Sequence, residues 1–244
     1  MLDFKLFHFP EIDSTNAEAK RNIAEYPHGS VIYADSQSAG KGRLNRNWIS
    51  PPHKNLYLSV VLKETDLGYE SLNSCVQVAA LAIWQTLVDL GIHQARIKWP
   101  NDVLIQDKKI SGILCESLLK QGQIEALIIG IGLNILMDQN DFSELDRAAT
   151  SILLELHSTL SIDEILEKLL IQLNYYYQVF KKSPQELTEN WLEASELKNS
   201  LVQFTTDQGQ SIIGLMQGIT PEGALIIENK DGIHSFYTGE LKRL

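Results

Sequence analysis

The sequence predicts an α+β fold in two parts: a domain of mixed strands and helices over residues 1–197, and a small β domain over residues 198–244. Two observations carry this. As far as about residue 197, strand-type segments are interspersed with segments of helical spacing. From Lys198 onward the pattern changes to short β runs. Asp207-Gln208-Gly209, Thr220-Pro221-Glu222-Gly223 and Asp231-Gly232 separate them, at the spacing of a small meander or barrel. With 244 residues, 44% of them hydrophobic and 21% charged, the chain can build a sizeable core.

The elements follow in order. Asp13-Ser14-Thr15-Asn16 supplies N-cap residues, and Glu18 lies three after Thr15, so a capped helix is expected to about Ala24. Ser30 to Ala34 reads as a short strand, and Leu56 to Lys63 alternates and is β-rich. Leu72, Val76, Ala79, Ile83, Leu87 and Leu90 repeat at helical spacing after Ser71, with Gly91 as the stop. Three β segments come next, 95–99, 103–106 and 110–116, the last two joined by a turn at Asp107-Lys108-Lys109. Glu125 to Ile131 is a further buried strand. Two or three helices follow, with boxes at Ser161-Ile162-Asp163-Glu164 and at Ser183-Pro184-Gln185-Glu186, where Pro takes the first helical position. The domain linker is not rich in Gly or Ser, so close packing of the two parts is expected.

Charge and cysteine usage narrow the function classes. A formal net charge of −10 opposes non-specific binding to nucleic acid or anionic membranes. Cys75 and Cys115 are the only cysteines and form no Cys-x-x-Cys, which argues against a disulfide scaffold and fits a reducing cytoplasm. The start of the chain lacks the order of a signal peptide, and no apolar run reaches ~20 residues, so no membrane partner is expected.

Against that acidic background, Lys41, Arg43 and Arg46 gather with Gly40, Gly42 and Trp48 within nine residues. Clustered cations repel one another, glycines admit a ligand to the backbone, and Trp offers a flat face to a heterocycle. An anionic ligand is the expected occupant. The common nucleotide motifs fail: Gly40-Lys41 is followed by Gly42 instead of Ser or Thr, and Gly130-Ile131-Gly132 has no third glycine at Ile135. No Gly-x-Ser-x-Gly elbow occurs, and the six histidines form no His-x-x-x-His pair. Three more segments stand out. Lys98-Trp99-Pro100-Asn101-Asp102 presents polar groups where Pro100 stops a ladder, although it also suits a plain turn. Gly112, just after Lys109, weakens a strand unless something approaches its backbone closely. Gly130 to Asn134 suits either backbone contact with a ligand or a bend out of the core.

Taken together, these segments resemble the biotin protein ligases. The matching stretches are Asp13 to Asn16, Gln37 to Trp48, Asn55 to Ser59, Lys98 to Asp102, Lys108 to Gly112, Gly130 to Asn134 and Gly239-Glu240, in family order. The resemblance implies a mixed sheet flanked by helices, of the class II aminoacyl-tRNA synthetase and biotin ligase type, with an SH3-like C-terminal barrel. It implies ATP-dependent attachment of biotin to a lysine of a biotin carboxyl carrier protein through biotinyl-5′-AMP. Ser14, Thr15, Asn16, Gln37, Gly40, Lys41, Gly42, Arg43, Lys109 and Gly112 would meet biotin. Trp48, Lys98, Asn101, Asp102, Gly132 and Asn134 would meet the nucleotide, Asp102 through Mg²⁺. Arg43, Arg46, Lys98 and Lys109 would carry the chemistry by neutralising the two anions that must meet.

The family loop commonly reads Gly-Arg-Gly-Arg-x-Gly-Arg. Here Lys41 replaces the first Arg and Asn45 the third Gly. The Ser-Thr-Asn motif begins at residue 14, which leaves no room before it for the DNA-binding domain of the family's regulatory members. A short-form enzyme is therefore expected, with homodimerisation left open. A lipoate–protein ligase and a non-catalytic biotin or nucleotide sensor are the alternatives.

Overall fold

A computed structural model describes the chain except for residues 65–67, 69–70, 144–146, 196 and 198 and the side chain of Asn45. Lys198, the expected first residue of the small domain, therefore lies outside the described residues.

The elements run β1 (Lys5–Phe9), α1 (Thr15–Arg21), β2 (Ser30–Ala34), β3 (Asn55–Leu62), α2 (Ser71–Asp89), β4 (Ala95–Lys98), β5 (Asp102–Ile105), β6 (Lys108–Lys120), β7 (Gln123–Asn134), α3 (Ile152–Leu156), α4 (Ile162–Lys182) and α5 (Pro184–Ala194). β8 (Leu201–Thr205), β9 (Ser211–Ile219), β10 (Leu225–Asn229), β11 (Gly232–Phe236) and β12 (Glu240–Arg243) complete the chain. The first seven strands form one mixed sheet in the order β1-β2-β3-β7-β6-β5-β4, parallel only between β1 and β2. The last five form a separate antiparallel sheet, β11-β10-β9-β8-β12, of the SH3-like kind.

Two cores hold the large sheet. α2 lies against one face and is itself covered by α4 and α5, so most of its side chains are buried. Among the described helices it alone has the length and apolarity to suit a bilayer, and here it is the central core helix. On the other face, α1 places Ala19 in a smaller cluster with Tyr26, Ile32, Val61, Ala126 and Ile128. The small sheet docks on the first core. Trp99 donates its indole N–H to Gly223 O at 3.2 Å, its ring meets Phe204 edge-on, and Ser74 reaches Pro221 O.

Several local expectations need correction. Of the expected candidates Ser14 caps α1, accepting from Ala17 N, so Glu18 closes no box on Thr15, and the helix stops at Arg21 instead of Ala24. Glu18 turns instead to Arg21, Asn22 and Tyr26. The turn between β5 and β6 is Gln106-Asp107, both at positive φ (48° and 67°), with Ile105 paired to Lys108. A two-residue turn of this kind needs two such residues, so Lys108 and Lys109 belong to the strand. At Ser161 the helix starts as expected, but the side chain makes no capping bond. β1 was not expected: it is a five-residue edge strand with mostly exposed side chains.

Candidate active site

The N-terminus of α1, the loop after β2 and the middle of the sheet converge on one depression. Thr15 N donates to Gln37 Oε1 at 2.9 Å, which fixes the amide so that Nε2 donates to Ser50 Oγ at 3.0 Å. Ser59, fully buried in the centre of β3, reaches Thr15 Oγ1 at 2.7 Å and Asn16 Oδ1 at 2.5 Å. Gly130 accommodates Asn16, because a Cβ there would overlap the Asn16 amide.

The cationic loop closes on itself. Trp48 N donates to Gly40 O at 2.9 Å and Gly42 N to Arg46 O at 2.7 Å, with Lys41 bridged to Asn47. Gly40 is obligatory because a Cβ would come within 2.6 Å of Trp48 O. The left-handed residue of the loop is Leu44 (φ 54°, ψ 38°), a conformation costly for a side-chain-bearing residue. The indole of Trp48 lies on the sheet floor at Gly112 and Gly132, which face one another across β6 and β7. A Cβ at either would strike the ring. The sequence expectation that something approaches Gly112 is met by the chain's own Trp48.

The cations differ in how far their charge is met. Lys109 is held in place on β6 by backbone bonds to Ala148 and Thr150. Its Nζ sits 2.6 Å from Asp102 Oδ1 and 5.3 Å from the Trp48 ring centroid. The Lys109 ammonium is thus the cation that meets the Asp102 carboxylate. Arg46 and Arg147 share Glu240 of the small domain at 2.6 and 3.4 Å. The hydrogen bond from Arg46, with Arg147 beside it, holds the Glu240 carboxyl below its ordinary value. Among the described residues Arg43 and Lys98 form no ion pair within 4.0 Å. Burial works against the Arg43 charge, and its hydrogen bond is to the neutral Asn101 Oδ1 at 3.3 Å. Asn101 is itself pinned to Ile113 O.

Two cavities meet here. A small pocket of about 50 Å³ is lined by Ser14, Thr15, Asn16, Gln37, Lys41, Gly42, Gly112 and Gly132. A cleft of about 1100 Å³ adjoins it, and Arg43, Trp48, Asn101 and Lys109 line both. Among the described residues the cleft carries Arg43, Arg46, Lys98, Lys109, Arg147 and Lys242 against Asp102, Asp107 and Glu240, in a protein of net charge −10. Asn134 also lines the cleft, but its amide already donates to Thr150 O. Gly40 lines neither cavity and serves the loop instead.

Sequence reasoning missed Ser59, Glu116, Arg147 and the cleft-lining Gln203 and Lys242. Ser59 had a signal: it is the one serine or threonine inside the run Leu56 to Leu62.

The model of the biotin/lipoate A/B protein ligase family matches residues 8–134, and that of the biotin protein ligase C terminal domain matches residues 199–241. A biotin–[acetyl-CoA-carboxylase] ligase of Paracoccus denitrificans is 30% identical over 226 residues, covering 90% of this chain and 92% of that protein. The chain belongs to the biotin protein ligases. It is also 30% identical to the bifunctional ligase/repressor BirA of Escherichia coli over 233 residues, spanning 95% of this chain and 72% of BirA. The biotin protein ligase of Aquifex aeolicus, solved in complex with biotin and ATP, superposes with a TM-score of 0.84 at 28% identity, covering 98% of each chain. The expected mixed sheet with an added small β domain is thus the architecture of this ligase family.

Proposed function

We propose that this biotin protein ligase joins biotin to ATP, giving biotinyl-5′-AMP and pyrophosphate, and then transfers biotin to a lysine of a carboxyl carrier protein. One observation carries the reading: a small pocket with the polar side chains of Ser14, Thr15, Asn16 and Gln37 opens into a large cationic cleft, with Arg43 and Lys109 on the wall between them. Biotin's ring would sit beside Ser14, Thr15, Asn16 and Gln37, and its carboxylate would face Lys109 and Arg43. The triphosphate would lie toward Arg46 and Lys98, beside Asn101, with the base against Trp48.

The first barrier is the repulsion of carboxylate and phosphate. Two unit charges 4 Å apart interact by roughly 4 kcal/mol at an effective ε of 20, so a few cations suffice to alter it. Asp102 fits a Mg²⁺ ion, since its Oδ1 already faces a cation, the Lys109 ammonium at 2.6 Å, and Mg²⁺ commonly takes one or two carboxylates plus phosphates. Such an ion would neutralise phosphate charge.

The small pocket, at about 50 Å³, is below the ~300 Å³ of ordinary ligand sites. Biotin entry therefore requires the Trp48 indole to lift from Gly112 and Gly132. The loop over residues 40–47 would then close on the adenylate and keep water from the anhydride. The division at 197/198 belongs to this proposal, supported by the C-terminal family match at 199–241.

The test is ATP-dependent pyrophosphate exchange with biotin and with lipoate, followed by transfer of labelled biotin to a carrier domain. Exchange with biotin and labelling of the carrier are expected. Exchange with lipoate alone would make it a lipoate ligase, and adenylate formation without transfer to any carrier would make it a sensor.

A further inference from the structure

Glu116 lies on β6, outside the ring of residues that would touch a ligand, yet it closes a chain of hydrogen bonds that reaches the pocket. Its Oε2 accepts from Asn16 Nδ2 at 2.8 Å, and its Oε1 is 2.5 Å from Lys20 Nζ. The same Asn16 nitrogen donates to Leu114 O at 3.2 Å. A carboxylate and a backbone carbonyl only accept, so the amide of Asn16 has one allowed orientation: its NH2 faces β6 and its oxygen faces Ser59. Ser59 Oγ is 2.5 Å from that oxygen, which has no hydrogen, so Ser59 must donate to it.

Ser59 has then spent its only proton. The 2.7 Å contact between Ser59 and Thr15 hydroxyls must use the proton of Thr15. The alternative acceptor for that proton, Gln37 Oε1 at 3.3 Å, is also protein. On either choice Thr15 Oγ1 turns only lone pairs toward the pocket. Gln37 is fixed in the opposite sense. Its oxygen takes the Thr15 backbone N–H, so its Nε2 keeps one hydrogen beyond that given to Ser50.

We infer that Glu116 is a positioning residue for ligand specificity: through Asn16 and Ser59 it sets Thr15 as an acceptor beside the Gln37 donor. The pocket then takes a ring bearing an N–H next to a C=O, as a cyclic urea does, and disfavours a ring with neither, such as a dithiolane. The inference rests on the reading that biotin's ring occupies this pocket. A site built to hydrogen-bond a ligand rejects an analogue that leaves its buried groups unpaired.

Lys20 makes the idea testable, because it decides which way a glutamine would face. In Glu116→Gln the side-chain oxygen goes to the Lys20 ammonium, a pure donor. The new NH2 then meets the Asn16 NH2, donor against donor. Asn16 escapes the clash by flipping, at the cost of its bond to Leu114 O, and the flip reverses Ser59 and releases Thr15. Without Lys20, the introduced glutamine can turn its oxygen to Asn16 and restore the order.

Biotin and desthiobiotin affinities, both ligands carrying the cyclic urea, are measured by calorimetry on the full chain, with KM for biotin and ATP alongside. Glu116→Gln is expected to weaken both ligands about ten-fold or more, raising KM for biotin and not for ATP. Lys20→Met is expected to stay within about two-fold of the parent, and the double variant Lys20→Met/Glu116→Gln to recover most of the loss. A double variant as weak as Glu116→Gln, or a Glu116→Gln protein as tight as the parent, overturns the inference. Should Glu116→Gln not fold, Ser59→Ala carries the test: it frees the Thr15 proton and should show the same ten-fold loss, and undiminished affinity there overturns the inference equally. Thr15→Val separates the two levels. If it binds biotin like the parent, the placement of biotin in this pocket fails, and the inference with it.

Discussion

Arg43 is held at a desolvation cost that the charges of Asp207, Asp102 and Glu240 offset only in part, and replacing it with Met measures what remains. The side chain is partly buried, its charge is opposed by desolvation, and it forms no ion pair among the described residues. Its one hydrogen bond, to Asn101 at 3.3 Å, is to a neutral oxygen. Such a bond contributes about 1 kcal/mol. Fully burying an ion costs several kcal/mol, so a half-buried guanidinium costs about 2. Arg43→Met keeps the volume and removes the charge. The ligand-free protein should then gain about 1 kcal/mol, a rise of roughly 2–4 °C in Tm for a chain of this size.

Binding should move the other way. An anion about 4 Å from Arg43 gains roughly 4 kcal/mol at an effective ε of 20. Halving this for solvent access leaves about 2 kcal/mol, or roughly thirty-fold in affinity. Thermal unfolding with and without a stable biotinyl-adenylate analogue reads both numbers in one series. The variant should start higher and gain less from the ligand. A lower starting Tm would make Arg43 a structural tie to Asn101, and an undiminished ligand-induced shift would remove it from the anion site.

Gly132→Val places a branched side chain where the Trp48 indole rests; it should displace the ring, shift tryptophan emission to the red and raise KM for ATP about ten-fold, and an unchanged spectrum would contradict the geometry. Glu240→Gln removes the carboxylate shared by Arg46 and Arg147; trypsin should cut the loop faster, whereas equal cutting would deny the small domain any hold on the loop. The hydrogen bond from Arg21 lowers the Asp13 pKa from 3.8 to about 2, and Glu18 is also held low: burial alone would raise it, but bonds from Arg21, Asn22 and Tyr26 prevail. With folded values depressed, the unfolded chain binds more protons, so this stabilisation is complete above the ordinary carboxylate range and is lost as pH falls toward 2. Urea midpoints between pH 5 and 2 should fall less steeply for Asp13→Asn than for the parent, and parallel curves would rule the pair out.

What the sequence made legible follows from the range of the forces involved. Buried elements announce themselves, because a strand such as Asn55–Leu62 or a helix such as Ser71–Asp89 repeats apolar residues along its length. β1 does not, because an exposed edge strand of five residues carries no burial signal. The Gln106-Asp107 turn was misplaced by a residue because neither member is the Gly or Asn that marks positive φ. The loop's cations and glycines were legible as a group, but not that the left-handed residue would be Leu44. Nor could spacing reveal that Lys109 and Asp102 meet, since their contact depends on the bulge in register after Val103. Glu116 was invisible for another reason. It acts through two intervening side chains from different elements, and only their hydrogen-bond polarity links it to the pocket.

The charge distribution adds a further constraint. Six cations converge on the cleft while the chain as a whole carries −10. At physiological ionic strength screening acts over about 8 Å, so a small anion inside the cleft feels mainly the cations around it. A polyanion too large to enter would feel mainly the acidic exterior. The charge pattern therefore favours a small anion inside the cleft over a large polyanion outside it. Glu240 sharpens the contrast: it occupies Arg46 and Arg147 from the small domain, so the cleft lacks an idle surplus of positive charge at its rim. An incoming phosphate must compete with Glu240 for Arg46, whereas Lys98 and Arg43 have no ion pair to break among the described residues. Binding should therefore begin at Lys98 and Arg43, and the rim should rearrange only once the phosphates are seated.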